Sequence, residues 1–388
     1  MADQKVSAVV AHAPANFGQL DLRHESITIT RKEPGPHEVL VRMLAAGICH
    51  TDIFVGGLPA ALAGAYPRVL GHEGSGYVEA VGSSIKSVQV GDPVLLSYTY
   101  CGSCELCTND GPTYCQKFSE ENVACTDVVW KANDGADVGG KFFGQSSFAS
   151  LSMVEEKSIV NVKGLVDDDE MLKTFSPLGC GLMTGSGAVV NTAAAKPSDV
   201  VLVTGLGAVG LGAIMAAKIQ GCRAIIAVDR VQSRLEIAKQ VGATHTYDTN
   251  HLDITKETYS ADLAGELKAL VEDGNVNYAF DTTGVLPVIN ACIKSLGKRG
   301  KMIQIGVPVP GPTSTIPLDF QDFFSGTKRI EVNYLGDCLA KDHVPRMIKW
   351  YKEGKFPFDK FIKFYAAKDV AQALEDMKTE VIKPILVH

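Results

Sequence analysis

Ten cysteines stand in this chain of 388 residues, and four of them crowd into one stretch: Cys101, Cys104, Cys107 and Cys115. The spacing Cys-x2-Cys-x2-Cys-x7-Cys offers four thiolates from one short loop. Four sulfurs in a tetrahedron make a closed zinc site with no position left for a substrate, so such a site stabilises a lobe instead of doing chemistry. Two other readings use the same residue types. An iron–sulfur cluster also takes closely spaced cysteines, but here the fourth lies elsewhere in the spacing and is followed by Gln116, not by the usual proline. A zinc ribbon that grips nucleic acid needs a basic surface, and the net charge of −7 argues against it.

A second constellation is Gly205-Leu206-Gly207-Ala208-Val209-Gly210, a G-x-G-x-x-G match. It follows the apolar run Val200-Val201-Leu202-Val203-Thr204 and precedes a helical stretch from Val209 to Gln220 that stops at Gly221. Strand, glycine turn and helix in that order is the context a dinucleotide-binding loop requires. The first glycine makes the turn, the second lets the backbone approach a pyrophosphate, and the third lets helix and strand pack. The helix N-terminus offers its free N–H groups to the phosphates. Asp229 ends the next strand, 19 residues after Gly210. A carboxylate there accepts bonds from the adenosine ribose hydroxyls and repels a 2′-phosphate, which favours NAD over NADP; the basic Arg230 beside it pulls the other way.

Three further metal-ligand types lie apart from one another. Cys49 sits in Gly47-Ile48-Cys49-His50-Thr51-Asp52, His72 in the turn Gly71-His72-Glu73-Gly74, and Cys180 in Leu178-Gly179-Cys180-Gly181. Two cysteines and one histidine with a fourth position open is an arrangement used for catalytic zinc. Taken singly, a cysteine is ordinarily a buried apolar residue and a histidine a surface or satisfied core residue. Spacing alone does not bring these three together.

The elements that must position these groups follow from the pattern. Hydrophobic residues make up 46% and charged residues 21% of the chain, which suits a folded globular protein long enough for two or three domains and excludes a disordered or fibrous one. The first half reads as β-rich: Glu38 to Met43 is a strand after the Pro34-Gly35-Pro36 breaker, and Gly71 to Val94 carries short apolar runs between glycines, as in a small twisted barrel or sandwich. After about Thr184 strands and helices alternate. Ala224 to Val228 is a second buried strand, Arg234 to Gln240 a second helix, and Val276 to Phe280, Val288 to Leu296 and Met302 to Ile305 continue the alternation. This pattern predicts a doubly wound parallel sheet. Amphipathic helices at His343 to Lys352 and Val370 to Met377, beside short strands, read as a return to the first domain. No apolar run is long enough to span a bilayer, and the opening Met-Ala-Asp-Gln-Lys has no signal pattern, so the expected compartment is the cytosol, where cysteines bind metal rather than form disulfides.

Read together and in order, the motifs Cys49-His50-Thr51-Asp52, Gly71-His72-Glu73-Gly74-x-Gly76-x-Val78-x-x-Val81-Gly82, the four-cysteine loop, Leu178-Gly179-Cys180-Gly181 and Gly205 to Gly210 resemble the zinc-dependent medium-chain alcohol dehydrogenases. Within that family the chain looks most similar to aryl- and benzyl-alcohol dehydrogenases. The resemblance implies an α/β protein: a β-rich GroES-like catalytic domain from residues 1–184 and 328–388, and a Rossmann NAD-binding domain from 185–327. It implies two zinc ions per subunit, one on Cys49, His72 and Cys180, the other structural on Cys101, Cys104, Cys107 and Cys115. Glu73 falls at the place of a carboxylate that approaches the metal, Asp52 at that of an acid orienting the histidine ligand, and Thr51 at that of the hydroxyl taking the substrate proton. His50 matches a basic residue at the cofactor pyrophosphate, Thr184 a residue beside the nicotinamide, and Arg234 a base near the adenosine ribose, with Gly205, Gly207, Val209, Gly210 and Asp229 forming the loop. Lys383 matches a second phosphate-binding base. One departure stands out: where liver-type enzymes have a histidine continuing the proton path, this chain has Ile53-Phe54. The pocket is then more apolar, which favours a bulky or aromatic substrate, with Phe142 and Phe143 as candidate lining.

The expected activity is hydride transfer between a primary alcohol and its aldehyde on one side and NAD on the other, in a homodimer or homotetramer with no nucleic-acid or membrane partner. The alternatives are a polyol dehydrogenase or a biosynthetic aldehyde reductase of the same architecture, and a nucleotide-binding structural protein without activity. Cys125, Cys222, Cys292 and Cys338 have no assigned role.

Overall fold

The run Val200–Thr204 is buried at every position, as a central strand of a parallel sheet must be when its faces are covered by helices. This computed structural model describes residues 4–30, 33–124, 127–308 and 315–388; Cys125 lies outside them. Two compact units emerge, one of Gly181–Cys338 with Trp350–Lys360, the other of Met1–Cys180, Leu339–Lys349 and Phe361–His388.

In the first of these, six strands run in the spatial order His245–Asp248, Ala224–Asp229, Val200–Thr204, Val276–Asp281, Leu296–Gln304, Arg329–Val332. All the pairings are parallel. The chain winds outward in one direction from Val200–Thr204, then returns and winds outward in the other. A ligand crevice belongs at that reversal, beyond the carboxyl ends of Val200–Thr204 and Val276–Asp281. Helices Ala208–Ile219, Gln232–Val241 and Leu286–Ser295 connect the strands. Val200, Leu202, Ile226, Val228, Leu263, Ile289, Ile293 and Met302 form one buried cluster. The sequence pattern did not reveal His245–Asp248 or the helix Tyr259–Ala269: the strand is half-buried along its length and carries no apolar run. The far edge strand, Arg329–Val332, leaves Ile330 and Val332 exposed.

In the other unit, Gln4–Ala11, Leu22–Ile29, Asp127–Lys131, Asp137–Gly140 and Arg68–Val69 close into a small barrel. A seven-stranded sheet is built around Glu38–Gly47, which pairs with Gly74–Val81, Leu151–Glu155 and, from the end of the chain, Lys383–Val387. Ile385 faces Gly47 in that last pairing, and Ile362–Ala366 adds a parallel strand outside it. The tail thus completes the sheet that the first half begins. Val39, Val41, Met43, Val78, Val94, Leu96 and Val154 fill its core. Among the described residues no helix is long and apolar enough to cross a membrane.

The tail helix Ala340–Lys352 buries His343. Burial, with the charge of Arg346 adding to it, pushes that imidazole down to about 4 from an ordinary 6.5. The unfolded chain therefore binds more protons than the folded one between those values, so this contribution to stability is intact above pH 6.5 and is lost as the pH falls toward 4. Urea unfolding at pH 7 and pH 5 should show a drop in midpoint on acidification, and His343→Gln should shrink that drop. An equal drop in both proteins would show that His343 carries none of it.

Candidate functional site

Cys49 caps the N-terminus of helix His50–Gly56. The Cys49 N–H donates to Asp52 Oδ2 at 2.9 Å, a capping carboxylate three residues into the helix. The other oxygen of Asp52 reaches across the fold. It accepts from the Gly71 N–H at 3.1 Å and from His72 Nδ1 at 2.9 Å. Asp52 and His72 are both fully sealed from solvent. One carboxylate thus joins the helix that carries Cys49 to the turn that carries His72. It also keeps the proton on Nδ1 and leaves Nε2 as the free lone pair.

His72 Nε2 is buried and meets no hydrogen-bond partner among the described residues. Its ring is gripped instead. Phe143 stacks on it with centroids 4.6 Å apart, and Phe142 meets it edge-on at 5.6 Å. Donor atoms of Cys49, His72, Glu73 and Cys180 all lie within 4.8 Å of one another. The Cys49 thiol is held well below its usual range, chiefly by a hydrogen bond from Cys180, against burial and with help from the charge of Lys383. The same bond, and burial after it, push Cys180 up. Burial pulls His72 down, and the charge and hydrogen bond of Asp52, together with the Cys49 sulfur, raise it on balance. Two sulfurs sharing a proton beside an unbonded imidazole nitrogen form a donor set that suits a zinc ion. Thr51 Oγ1 lies 3.8 Å from the Cys49 sulfur, and His50, the first residue of the helix, is exposed.

Lys383 requires a correction. The sequence reading aligned it with a phosphate-binding base, but its Nζ is buried and donates to both oxygens of Glu73, at 2.8 and 2.9 Å, and to the Ile48 carbonyl at 3.0 Å. An ammonium with its three protons spent inside the protein has none for a pyrophosphate. The signal was present in the sequence: a single charge inside the apolar run Val381-Ile382-Lys383-Pro384-Ile385-Leu386 must be buried with a counter-charge. Gln145 was also missed. Its side chain accepts from the Gly74 N–H and donates to the His72 and Ser97 carbonyls, bracing the turn on both sides of the histidine.

The sulfurs of Cys101, Cys104, Cys107 and Cys115 likewise come within 4.8 Å of one another. Backbone N–H groups point at them: Cys104 to the Cys101 sulfur, Cys101 to the Cys115 sulfur, Gln116 to the Cys104 sulfur, at 3.4 to 3.5 Å. The N–H groups of Ser103 and Cys104 draw the Cys101 thiol down to about 6, while burial raises Cys107 to about 12. Four sulfurs this close are a donor set that a divalent cation would balance.

The glycine loop lies in the other unit. Gly205 has φ +83°, a left-handed turn, and a Cβ on Gly210 would lie 1.9 Å from the Gly205 carbonyl. A Cβ on Gly207, by contrast, would meet no atom within 4 Å. That open space above the second glycine, at the head of the twelve-residue helix Ala208–Ile219, is room for a phosphate. Asp229 Oδ2 accepts from the Leu206 N–H at 2.7 Å, and Oδ1 from the N–H groups of Arg230 and Val231. The carboxylate is thereby fixed against the loop. Arg234 is half-buried on the following helix. Thr184 lies on helix Gly181–Gly187, which crosses the loop's helix so closely that a Cβ on Gly185 would be 1.9 Å from the Val209 carbonyl.

Residues 35–164 match the family model described as alcohol dehydrogenase GroES-like domain, and residues 208–353 the model described as zinc-binding dehydrogenase. The geraniol dehydrogenase of Castellaniella defragrans is 34% identical over 360 residues, which cover 91% of each protein. The chain belongs to the zinc-dependent medium-chain alcohol dehydrogenases. Among solved alcohol dehydrogenase structures, benzyl alcohol dehydrogenase from Acinetobacter calcoaceticus superposes with a TM-score of 0.84 at 36% identity, covering 99% of both chains. An alcohol dehydrogenase zinc-binding domain protein from Burkholderia ambifaria gives a TM-score of 0.89 at 34% identity, over 100% of this chain and 99% of that one. An alcohol dehydrogenase of this family is an oxidoreductase, and the family implies zinc and a nicotinamide cofactor.

The two cysteine centres should respond differently to mutation. Cys101→Ala removes one of the four converging sulfurs and should lower the Tm by more than about 5 °C. Cys49→Ala should change the Tm by less. Thermal unfolding of both variants checks this; equal shifts would contradict it.

Proposed function

We propose that this alcohol dehydrogenase oxidises a primary alcohol carrying an aromatic or bulky apolar group, reversibly, with NAD as hydride acceptor. The observation that carries the reading is the meeting of Cys49, His72 and Cys180 at an imidazole nitrogen that has no hydrogen-bond partner among the described residues. Zinc held there would supply Lewis acidity that brings the pKa of an alcohol toward neutrality. The remaining work belongs to the chain. Asp52 fixes the imidazole that the ion would use. Thr51, beside the Cys49 sulfur, takes the alcohol proton. Beyond it Ile53-Phe54 offers no titratable group to carry the proton onward. A nicotinamide cofactor bound at the Gly205–Gly210 loop would supply the hydride acceptor, so that an alcohol would yield its aldehyde, the reduced cofactor and a proton.

Support for the substrate class is the pair of phenyl rings, Phe142 and Phe143, packed on His72, together with relatives named for geraniol and benzyl alcohol. Support for NAD is Asp229 at the end of its strand, where its charge opposes a 2′-phosphate. A second zinc on the four-cysteine loop, a nucleotide domain built on residues 185–327 and a cytosolic setting belong to the same reading; unpaired thiols fit a reducing compartment. A homodimer or homotetramer fits the edge strand Arg329–Val332, whose exposed Ile330 and Val332 accompany exposed Phe320 and Phe324 in the same unit.

NADH formation should be fastest with benzyl alcohol, slower with ethanol and slowest with sorbitol, and a chelator should abolish it. A preference for sorbitol would make the enzyme a polyol dehydrogenase, and activity in metal-free protein would refute the zinc chemistry. Asp229→Ser should raise kcat/KM with NADP at least about tenfold relative to NAD; an unchanged ratio would remove Asp229 from cofactor selection.

A further inference from the structure

Four donor atoms, not three, meet at the Cys49 centre: two sulfurs, an imidazole nitrogen and an oxygen of Glu73, all within 4.8 Å of one another. Four protein ligands close a tetrahedral zinc site, whereas a site that works on a substrate keeps one position for it. Glu73 is fully buried, so its charge must find a cation. The chain has to supply one other than the metal.

Two features restrain the carboxylate. Lys383 spends all three of its N–H donors, on Glu73 Oε1 at 2.9 Å, on Glu73 Oε2 at 2.8 Å and on the Ile48 carbonyl at 3.0 Å. Strand register fixes its place: the Ile48 N–H donates to the Pro384 carbonyl at 2.9 Å, and Ile385 faces Gly47. Gly47 is the second restraint. A Cβ there would lie 2.2 Å from Glu73 Oε2, so the carboxylate rests on bare backbone. Burial by itself would lower the Lys383 pKa, but the charge of Glu73, and then of Cys49, raises it above its ordinary value and keeps the ammonium charged.

We infer that Lys383 is a positioning residue that keeps the fourth position of the Cys49–His72–Cys180 centre open by holding both oxygens of Glu73. This rests on the reading of that centre as the zinc site. Without the ammonium, a metal ion held by Cys49, His72 and Cys180 is a cation within reach of the buried carboxylate, and Glu73 turns onto it. The alcohol then has no place to bind.

Full-length protein loaded with cobalt(II) tests this. Subtracting the spectrum of cobalt-loaded Cys49→Ala isolates the centre from the four-cysteine loop. Imidazole, a small neutral ligand, then reports the open position through the visible d–d bands. Wild-type bands should shift on titration with imidazole. In Lys383→Met the bands should differ before imidazole is added, and imidazole should bind at least about tenfold more weakly. The pair Lys383→Met with Glu73→Gln should return to within about threefold of wild type, since nothing is left to occupy the position. Rescue by deleting the partner is not expected of a lysine that serves stability alone. Lys383→Gln, which keeps N–H donors for Glu73 and Ile48, answers the same question if Lys383→Met does not fold; it should show the loss at smaller size. Wild-type imidazole affinity in Lys383→Met or in Lys383→Gln, or a double variant that stays weak, overturns the inference. A wild-type protein with no Cys49-dependent cobalt bands overturns the zinc reading itself, and this inference with it.

Discussion

An imidazole nitrogen sealed from water with nothing to bond is a cost that a folded chain rarely carries, about 1–3 kcal/mol for a neutral group. Among the described residues His72 Nε2 has no hydrogen-bond partner, and the surrounding structure is arranged to hold it there. Asp52 takes the other ring nitrogen, Phe143 and Phe142 pack the ring, and Gln145 braces the turn from both sides. Cys49 comes from a helix cap, His72 from a glycine turn and Cys180 from the residue before helix Gly181–Gly187. The β-rich unit can be understood as the frame that brings those three places together, with the chain's last strand closing the sheet beneath them.

Charge governs the same centre. Two sulfurs, a carboxylate and an ammonium are buried within a few ångströms, and the ammonium and carboxylate pair with each other. The four-cysteine loop shows a contrasting arrangement, with backbone N–H groups turned onto the sulfurs. One centre sets a carboxylate beside its sulfurs and imidazole, and the other brings four sulfurs together in one loop.

Much of this was legible before any coordinates. The glycine loop was readable because each glycine answers a separate steric demand, and the parallel sheet because buried strands such as Val200–Thr204 are apolar throughout. The half-buried strand His245–Asp248 carries no such pattern and was silent. Cys49, His72 and Cys180 could be named as ligand types, but their meeting depends on sheet register, which spacing does not encode. The partner of Lys383 lies 310 residues away in Glu73. Sequence showed that the lysine needed a counter-charge, and only the pairing of the last strand with Glu38–Gly47 showed which one.

Anomalous diffraction at the zinc absorption edge, from crystals of the metal-loaded protein, tests the central assignment most directly. A peak bonded to the sulfurs of Cys49 and Cys180 and to Nε2 of His72 is the expected result, with Asp52 still on Nδ1. A protein that takes up zinc at the four-cysteine loop while these three side chains bind none would contradict it.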